Sequence, residues 1–421
     1  MSSDKPAPLD GAPQAGIRDF DLAKDLDAVK RIWREVGWVE EDEEVQQLDY
    51  FFACGSTLLG TLDDVPECSV HIAPGDLYLG DTALPLCAVT AVTTSRIARG
   101  HAFAQRLTAA QLARGAGQGA AVAALGIFDQ GFYDKLGFGT SAYDHSFILD
   151  PATLRIAERP RTPVRLTAAD YADVHQAMSG RNKVNGSVVL HPPELMRAEL
   201  GFEQKSFGLG YRQDGRLTHF VWLAPKGERG PYRVVMLGYE RTDQLLELLA
   251  LLKSLADQVY SVQIMEPPEV QLQALLDRPF RNAQLSEKGE HAAEHKSFAW
   301  WQLRILDVAT CVSALRGLPQ SLTLQLEVTD PVSKWLPEDA RWRGIEGQYV
   351  VQLGDTCTAE VGFDAQLPRL QCSVNTLTRL LWCVRPASSL AVTDDLRGAP
   401  ELLQQLDAIL RLSPPVAGWE F

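Results

Sequence analysis

The 421-residue chain has no Cys-x-x-Cys pair. Its seven cysteines, Cys54, Cys68, Cys87, Cys311, Cys357, Cys372 and Cys383, are odd in number and scattered. That excludes a disulfide framework as the organising feature and points to reduced, buried thiols in a cytoplasmic protein. The eight histidines fall at no metal-ligand spacing with them, so no metal is expected. Basic residues are in deficit, with Lys+Arg 40 against Asp+Glu 54, a formal charge of −14 and a pI near 5.1. Nucleic acid is excluded as a general partner, because phosphate binding needs basic patches. Surplus acid suits a cationic substrate, although most of it simply solvates the surface. No apolar run approaches the ~18 residues of a membrane span. The first fifteen residues are rich in Pro, Ala, Asp and Ser, and read as a free tail, not a signal peptide.

What remains is an ordinary globular composition, 46% hydrophobic and 22% charged. The chain is too long for one core, so two or three domains are expected. Residues 17–20 read as a strand and 21–36 as a helix, with Leu26, Val29, Ile32, Trp33 and Val36 on one face. An acidic run, Glu40 to Glu44, precedes a second helical stretch, 45–52. Strand-like segments follow at 56–62, 68–72, 77–78, 86–93 and 120–127, and a last one at 143–149. A helix between 95 and 113 interrupts them, and the order predicts an α/β layer fold with a mixed sheet. Residues 151–163, rich in Pro and Arg, read as a linker. Beyond it the strand-then-helix theme repeats, with a hairpin turning at Asp214-Gly215. From Trp300 onward, strand-like segments at 322–328, 347–353, 356–363 and 370–373 and helices at 374–381 and 401–410 suggest an antiparallel α+β sheet with helices on one side.

The most informative segment is Arg99-Gly100-His101-Ala102-Phe103-Ala104, placed where a strand turns into a helix. Unpaired amides of a first helical turn, the helix dipole and the Arg99 guanidinium make such a turn an anion cradle. Small residues let a ligand approach the backbone. After the next apolar run comes Tyr133-Asp134-Lys135-Leu136-Gly137-Phe138. The pair, in this order, resembles the GCN5-related N-acetyltransferase superfamily, whose pyrophosphate loop is Gln/Arg-x-x-Gly-x-Gly/Ala and whose later motif is Tyr-x-x-x-Gly-Phe. Ala102 departs from the preferred glycine, and its methyl group narrows the approach to the cradle.

The whole layout resembles the enhanced intracellular survival (Eis) acetyltransferases. The resemblance is carried by residues 92–105, 128–138, Leu303-Arg304-Ile305-Leu306-Asp307-Val308 and the terminal Glu420-Phe421. It implies two tandem acetyltransferase-type mixed-sheet domains, 1–150 catalytic and 151–297 non-catalytic, then a sterol-carrier-protein-like domain, 298–421. It also implies acetyl-coenzyme A as co-substrate, an amine acceptor of aminoglycoside type, and a homohexamer.

Acetyl transfer from a thioester needs a neutral amine, a stabilised carbonyl oxygen and a proton for the departing thiolate. Backbone amides at the end of the 86–93 strand, Val92 and Thr93 with Thr94 completing the stretch, are the expected carbonyl partners. Arg99, Gly100, His101, Ala102, Phe103, Ala104 and Gln105 are expected to hold the coenzyme, and the resemblance adds Phe128 and Asp129. Tyr133 is the expected proton donor, a phenol near pKa 10 facing a thiol near 8.5; Tyr78 and Tyr143 have no motif behind them. For the base, Asp19, Glu40 and Asp129 carry no distinguishing partner, and the resemblance nominates the α-carboxylate of Phe421. A carboxylate of ordinary pKa is a poor base for an ammonium, so desolvation, a water relay or a holding role is implied. The tail 414–421 would otherwise fray, yet Trp419 and Phe421 are unusual for a solvated end. Glu420 and Trp38 are the expected amine contacts. A rival reading is a lipid- or small-molecule-binding protein with a degenerate acetyltransferase domain. In the second domain, Glu240 to Asp243 put acid where phosphate would sit, so no coenzyme is expected there.

Overall fold

Asp21 closes the first strand, Ala15–Asp19, and caps the first helix, Leu22–Val36. Its carboxylate accepts the Ala23 amide at 3.0 Å, and the helix stops at Gly37, which is left-handed at φ 77°. The computed structural model describes residues 13–127, 131–203, 205–278 and 292–421. A second helix, Asp42–Phe51, follows with a Glu41/Glu44 capping box.

An eight-stranded sheet forms the first layer. Its order is Ala15–Asp19, Ser56–Leu62, Val65–Leu79, Thr82–Thr94, Val122–Gly126, Trp301–Ile305 and Gly139–Thr140, with Val188–Leu190 added beside Val65–Leu79. Neighbours are antiparallel except Thr82–Thr94 and Val122–Gly126, which run parallel with the helix Phe103–Gly117 as their crossover. The expected strands at 68–72 and 77–78 are one continuous strand, Val65–Leu79.

A second, seven-stranded sheet holds Glu294–Phe298, Asp144–Leu149, Val262–Met265, Tyr232–Gly238, Arg216–Pro225, Phe207–Gln213 and Val164–Leu166 in that order. The sheets do not follow cuts at 150 and 297. Asp144–Leu149, read as the last strand of the first unit, lies in the second sheet between Glu294–Phe298 and Val262–Met265. Trp301–Ile305, read as the start of the third region, lies in the first sheet beside Val122–Gly126. The reason is burial: Trp301–Ile305 is buried at every position, so it fits only an inner slot with both faces covered. The sequence reading also left out Val188–Leu190 and the helix Pro193–Phe202, which packs on Asp42–Phe51.

The third sheet has the order Thr358–Val361, Gly347–Leu353, Leu322–Thr329, Arg369–Ser373. The expected antiparallel pairing holds for its first three strands, but Arg369–Ser373 is parallel to Leu322–Thr329. The helix Val374–Leu381 packs back on this sheet and also on Trp301–Ile305 and Gly139–Thr140 of the first. All seven cysteines are free. Among the described residues no helix is long and apolar enough to cross a membrane, and no group of three His, Cys, Asp or Glu side chains could hold a metal ion.

Candidate functional site

Thr82–Thr94 carries a bulge where the site begins. His71 pairs with Thr90 and Ser69 with Thr93, so Val70 faces both Ala91 and Val92, and Ala91 takes a left-handed φ of 51°. On its other side the strand pairs with Val122–Gly126 only from Leu86 to Val89. The parallel ladder therefore ends at Val89, just before the bulge. Thr93 is buried, with its hydroxyl 2.7 Å from that of Ser69. Val92 and Thr94 are half-buried.

Past the bulge the chain turns through Ser95 and a short 3-10 turn, Arg96–Ala98, to an extended Arg99. Gly100 at φ 91° and Ala102 at φ 55° then curl it into the helix Phe103–Gly117. The first helical bond runs from the Arg106 amide to the Ala102 carbonyl, 3.1 Å. The amides of Phe103, Ala104 and Gln105 precede it and have no acceptor inside the helix. No acidic side chain occupies this first turn, and Arg99 is exposed beside it. A Cβ on Gly100 would meet nothing within 4 Å, so the cradle is open. Phe103 is buried against Gly60, where a Cβ would lie 2.6 Å from its ring; this sets the helix start close to the sheet. His101 stacks on Phe103 with ring centres 5.5 Å apart. Open space, free amides and a guanidinium fit a pyrophosphate-bearing group.

Ala102 is in a conformation that favours glycine by roughly 1 kcal/mol. Ala102→Gly is therefore expected to keep the stability that a glycine ordinarily removes from a helix start, and to tighten coenzyme A binding severalfold. Calorimetric titration checks it; weaker binding by the glycine variant would contradict it.

Tyr133 opens the 3-10 turn Tyr133–Leu136. It is only 7% exposed, between the rings of Phe132 and Phe138. Burial pushes its phenol well above the usual range, and the Cys68 thiol adds to this. Cys68, in the same core cluster as Tyr133, lies 3.2 Å from the Thr94 hydroxyl at the end of the bulged strand. Burial therefore favours the neutral phenol over the phenolate. Phe128 and Asp129 lie outside the described residues.

The tail does not fray. The Val416 amide donates to the Asn185 carbonyl and the Val188 amide to the Ala417 carbonyl, each at 2.9 Å. Buried Arg181 donates to the Ala417 and Val188 carbonyls. Trp419 is buried, its indole 3.3 Å from Glu199 and its ring against His175 and Arg181. Burial raises the Glu199 carboxyl to about 8; Trp419 opposes the shift and exposed Glu420 adds to it. Burial thus favours the neutral form of Glu199. The ring of Phe421 packs on Trp300, and a main-chain oxygen of Phe421 lies 3.2 Å from where a Cβ on Gly126 would stand. Gly126 follows the last residue of that strand paired with Thr82–Thr94, so Phe421 lies beside the end of the parallel ladder. Trp38 belongs to an aromatic cluster with Trp33, Phe51, Phe52 and Phe202, which reaches His71, the partner of Thr90. Asp19 is tied to Arg114, and Glu40 is exposed.

Trp300 also donates its indole N–H to Asp144. Burial raises this carboxyl from 3.8 to about 6, against the pull of Trp300 and His145. Its folded-state value lies above the unfolded one. The stability it contributes is complete below about pH 4 and is lost as pH rises through 6. Asp144→Asn keeps an oxygen for the indole. The variant is expected to be more stable than the parent at pH 8 by about 2–3 kcal/mol, with no difference near pH 4. Denaturant melts at the two pH values decide this; a parent as stable as the variant at pH 8 would contradict it.

The matching place in the second layer is closed by its own side chains. Before the helix Thr242–Ser254, the Gln244 side chain accepts from the Glu240 and Arg241 amides, and Arg241 pairs with Asp243 in the first turn.

Residues 17–141 match the acetyltransferase (GNAT) domain, and residues 311–418 match the sterol carrier protein domain. The first match stops short of Asp144–Leu149, the strand that joins the second sheet. No curated protein matches the chain. Among solved structures, it is similar to a conserved protein of unknown function and probable N-acyltransferase from Enterococcus faecalis V583, with TM-score 0.80, 18% identity, and 97% of this chain and 100% of that one covered. It is similar to a GCN5-related N-acetyltransferase from Kribbella flavida, with TM-score 0.73, 20% identity, and 97% and 99% covered. It is also similar to Eis1 from Mycobacterium abscessus, with TM-score 0.73, 18% identity, and 97% and 100% covered. The chain carries a GNAT acetyltransferase domain and a C-terminal sterol-carrier-like domain within the fold these proteins share.

Proposed function

We propose that this chain is an acetyl-coenzyme A-dependent N-acetyltransferase acting on a primary amine of a small cationic molecule, an aminoglycoside-type amine among them, by direct attack in a ternary complex. One observation supports the reading: the parallel ladder ends at Val89, the strand beyond it leads through the bulge to the cradle, its partner ends at Gly126 beside Phe421, and Tyr133 packs in the core cluster of Val89, Leu125 and Phe103. The division of labour proposed is a catalytic 1–150, a non-catalytic 151–297, and a 298–421 segment that brings the tail.

Arg99 and the amides of Phe103, Ala104 and Gln105 hold the pyrophosphate, with Gly100, His101 and Ala102 shaping the approach. The coenzyme supplies the acetyl group as a thioester. Backbone amides at Val92 to Thr94 receive the thioester carbonyl, where negative charge grows as the amine attacks. The carboxylate of Phe421 holds the amine and takes its proton directly or through water, while Glu420 and Trp38 attract the cation. The carbon–nitrogen bond forms, the carbon–sulfur bond breaks, and the Tyr133 hydroxyl gives its proton to the departing sulfur.

Thermal stabilisation by coenzyme A against stabilisation by a fatty acid or sterol tests this against a lipid-binding role. Stabilisation by coenzyme A that is lost in Arg99→Ala is expected. Stabilisation by the lipid alone would favour the binding protein.

A further inference from the structure

The turn that carries Tyr133 is short, and its own bonds are few: the Gly137 amide donates to Asp134 at 3.0 Å and the Phe138 amide to Tyr133 at 3.3 Å. Its outward carbonyls are taken up by residues far along the chain. Asn375, in the first turn of Val374–Leu381, donates from Nδ2 to the Asp134 carbonyl at 3.0 Å and to the Phe138 carbonyl at 2.7 Å. Arg304 donates from Nη1 to the Leu136 carbonyl. The Trp335 indole donates to the Lys135 carbonyl at 3.3 Å, and Gln302 donates to the Asp134 carboxylate at 2.7 Å.

These groups are themselves fixed. Arg304 is fully buried and paired with fully buried Asp330, whose carboxylate also accepts the amides of Val332 and Ile345. Asn375 follows Ser373, whose hydroxyl caps its helix and whose amide is held by Asp395. The glycine of the Tyr-x-x-x-Gly-Phe motif fits the same clamp. Gly137 is left-handed at φ 85°, and a Cβ there would lie 2.0 Å from Arg304 Nη1 and 2.7 Å from Val374.

We propose that Asn375, with Arg304 and Asp330, is a positioning residue for acetyl transfer: the sterol-carrier-like segment clamps the Tyr133–Phe138 turn and so sets the phenol relative to the departing sulfur. This rests on the reading of Tyr133 as proton donor. The clamp joins that segment to the chemistry at a second place, distinct from the tail. It acts through backbone carbonyls of the turn.

Asn375→Asp tests it in the full-length protein. The side chain keeps its shape, loses both donated bonds and turns an oxygen toward the two carbonyls. Asn375 is half-buried, so the fold is expected to survive; Asn375→Ser serves as the second variant, losing the same donors without new charge. The expected result is a kcat lower by ~10–100-fold with the KM for acetyl-coenzyme A unchanged, as for a misplaced reacting group. In a Tyr133→Phe background the same substitution is expected to lower kcat no further, because the clamped hydroxyl is already gone. An unchanged kcat in both Asn375 variants, with Tyr133→Phe slow, would overturn the clamp alone. So would a full second loss in the Tyr133→Phe background. A Tyr133→Phe enzyme as fast as the parent would overturn both the clamp and the proton-donor reading.

Discussion

Tyr133→Phe is expected to lower turnover by ~10²–10⁴-fold, the usual cost of losing a general acid. Affinity for acetyl-coenzyme A should hardly change. The phenol is needed only when the sulfur leaves, and the cradle that binds the coenzyme lies on another element. The fold should survive, because phenylalanine keeps the ring between Phe132 and Phe138. It also removes a buried hydroxyl that burial already holds in the neutral form. Single-turnover and steady-state kinetics at matched coenzyme saturation check this. An unchanged rate would mean that another group protonates the thiolate.

Extending the chain beyond Phe421 by a few residues is expected to cost a comparable factor, ~10²-fold or more, while leaving stability intact. The bonds that fix the tail, at Val416, Ala417 and Trp419, lie upstream and stay in place. What changes is the surroundings of Gly126. An extension replaces the carboxylate with a neutral amide and fills the space where the amine would be held. Deleting Phe421 should act similarly, since it removes the ring that packs on Trp300 and moves the carboxylate one residue away. Protein tagged at the other end is the comparator. Equal turnover by N-tagged and C-extended protein of matched melting temperature would remove Phe421 from the mechanism. The base would then be sought among Asp19, Glu40 and Asp129.

The parts of the site that were legible in the sequence are those set by local chemistry. Gly100 curls the chain because it tolerates left-handed backbone, and that preference is readable without the fold; that Ala102 takes the same conformation at a cost is not. The motif around Tyr133 is equally local. Phe421 was legible through its resemblance and through aromatics where a solvated tail would have none. The environment of each group was not legible. Burial raises Tyr133, Asp144 and Glu199, and burial is decided by distant segments.

The exchange of Asp144–Leu149 and Trp301–Ile305 between sheets was hidden for the same reason. Alternation of apolar residues announces a strand but not its partner. Val188–Leu190 is too short for any periodicity. Asn375 carried no signal of its own, since a single polar residue in an apolar segment has no period to break, and Arg304, though in the run that carried the resemblance, had no role assigned there. Only the carbonyls they meet give them a role.

The central claim is that an amine, at this site, takes the acetyl group from coenzyme A. Its most direct test follows release of the coenzyme thiol from acetyl-coenzyme A across a panel of aminoglycosides, polyamines and a lysine peptide, with mass spectrometry of each amine. The account expects thiol release that depends on the amine, one acetyl group gained per thiol released, and loss of both in Tyr133→Phe. Thiol release at the same rate with and without every amine, and no acetylated product, would contradict it.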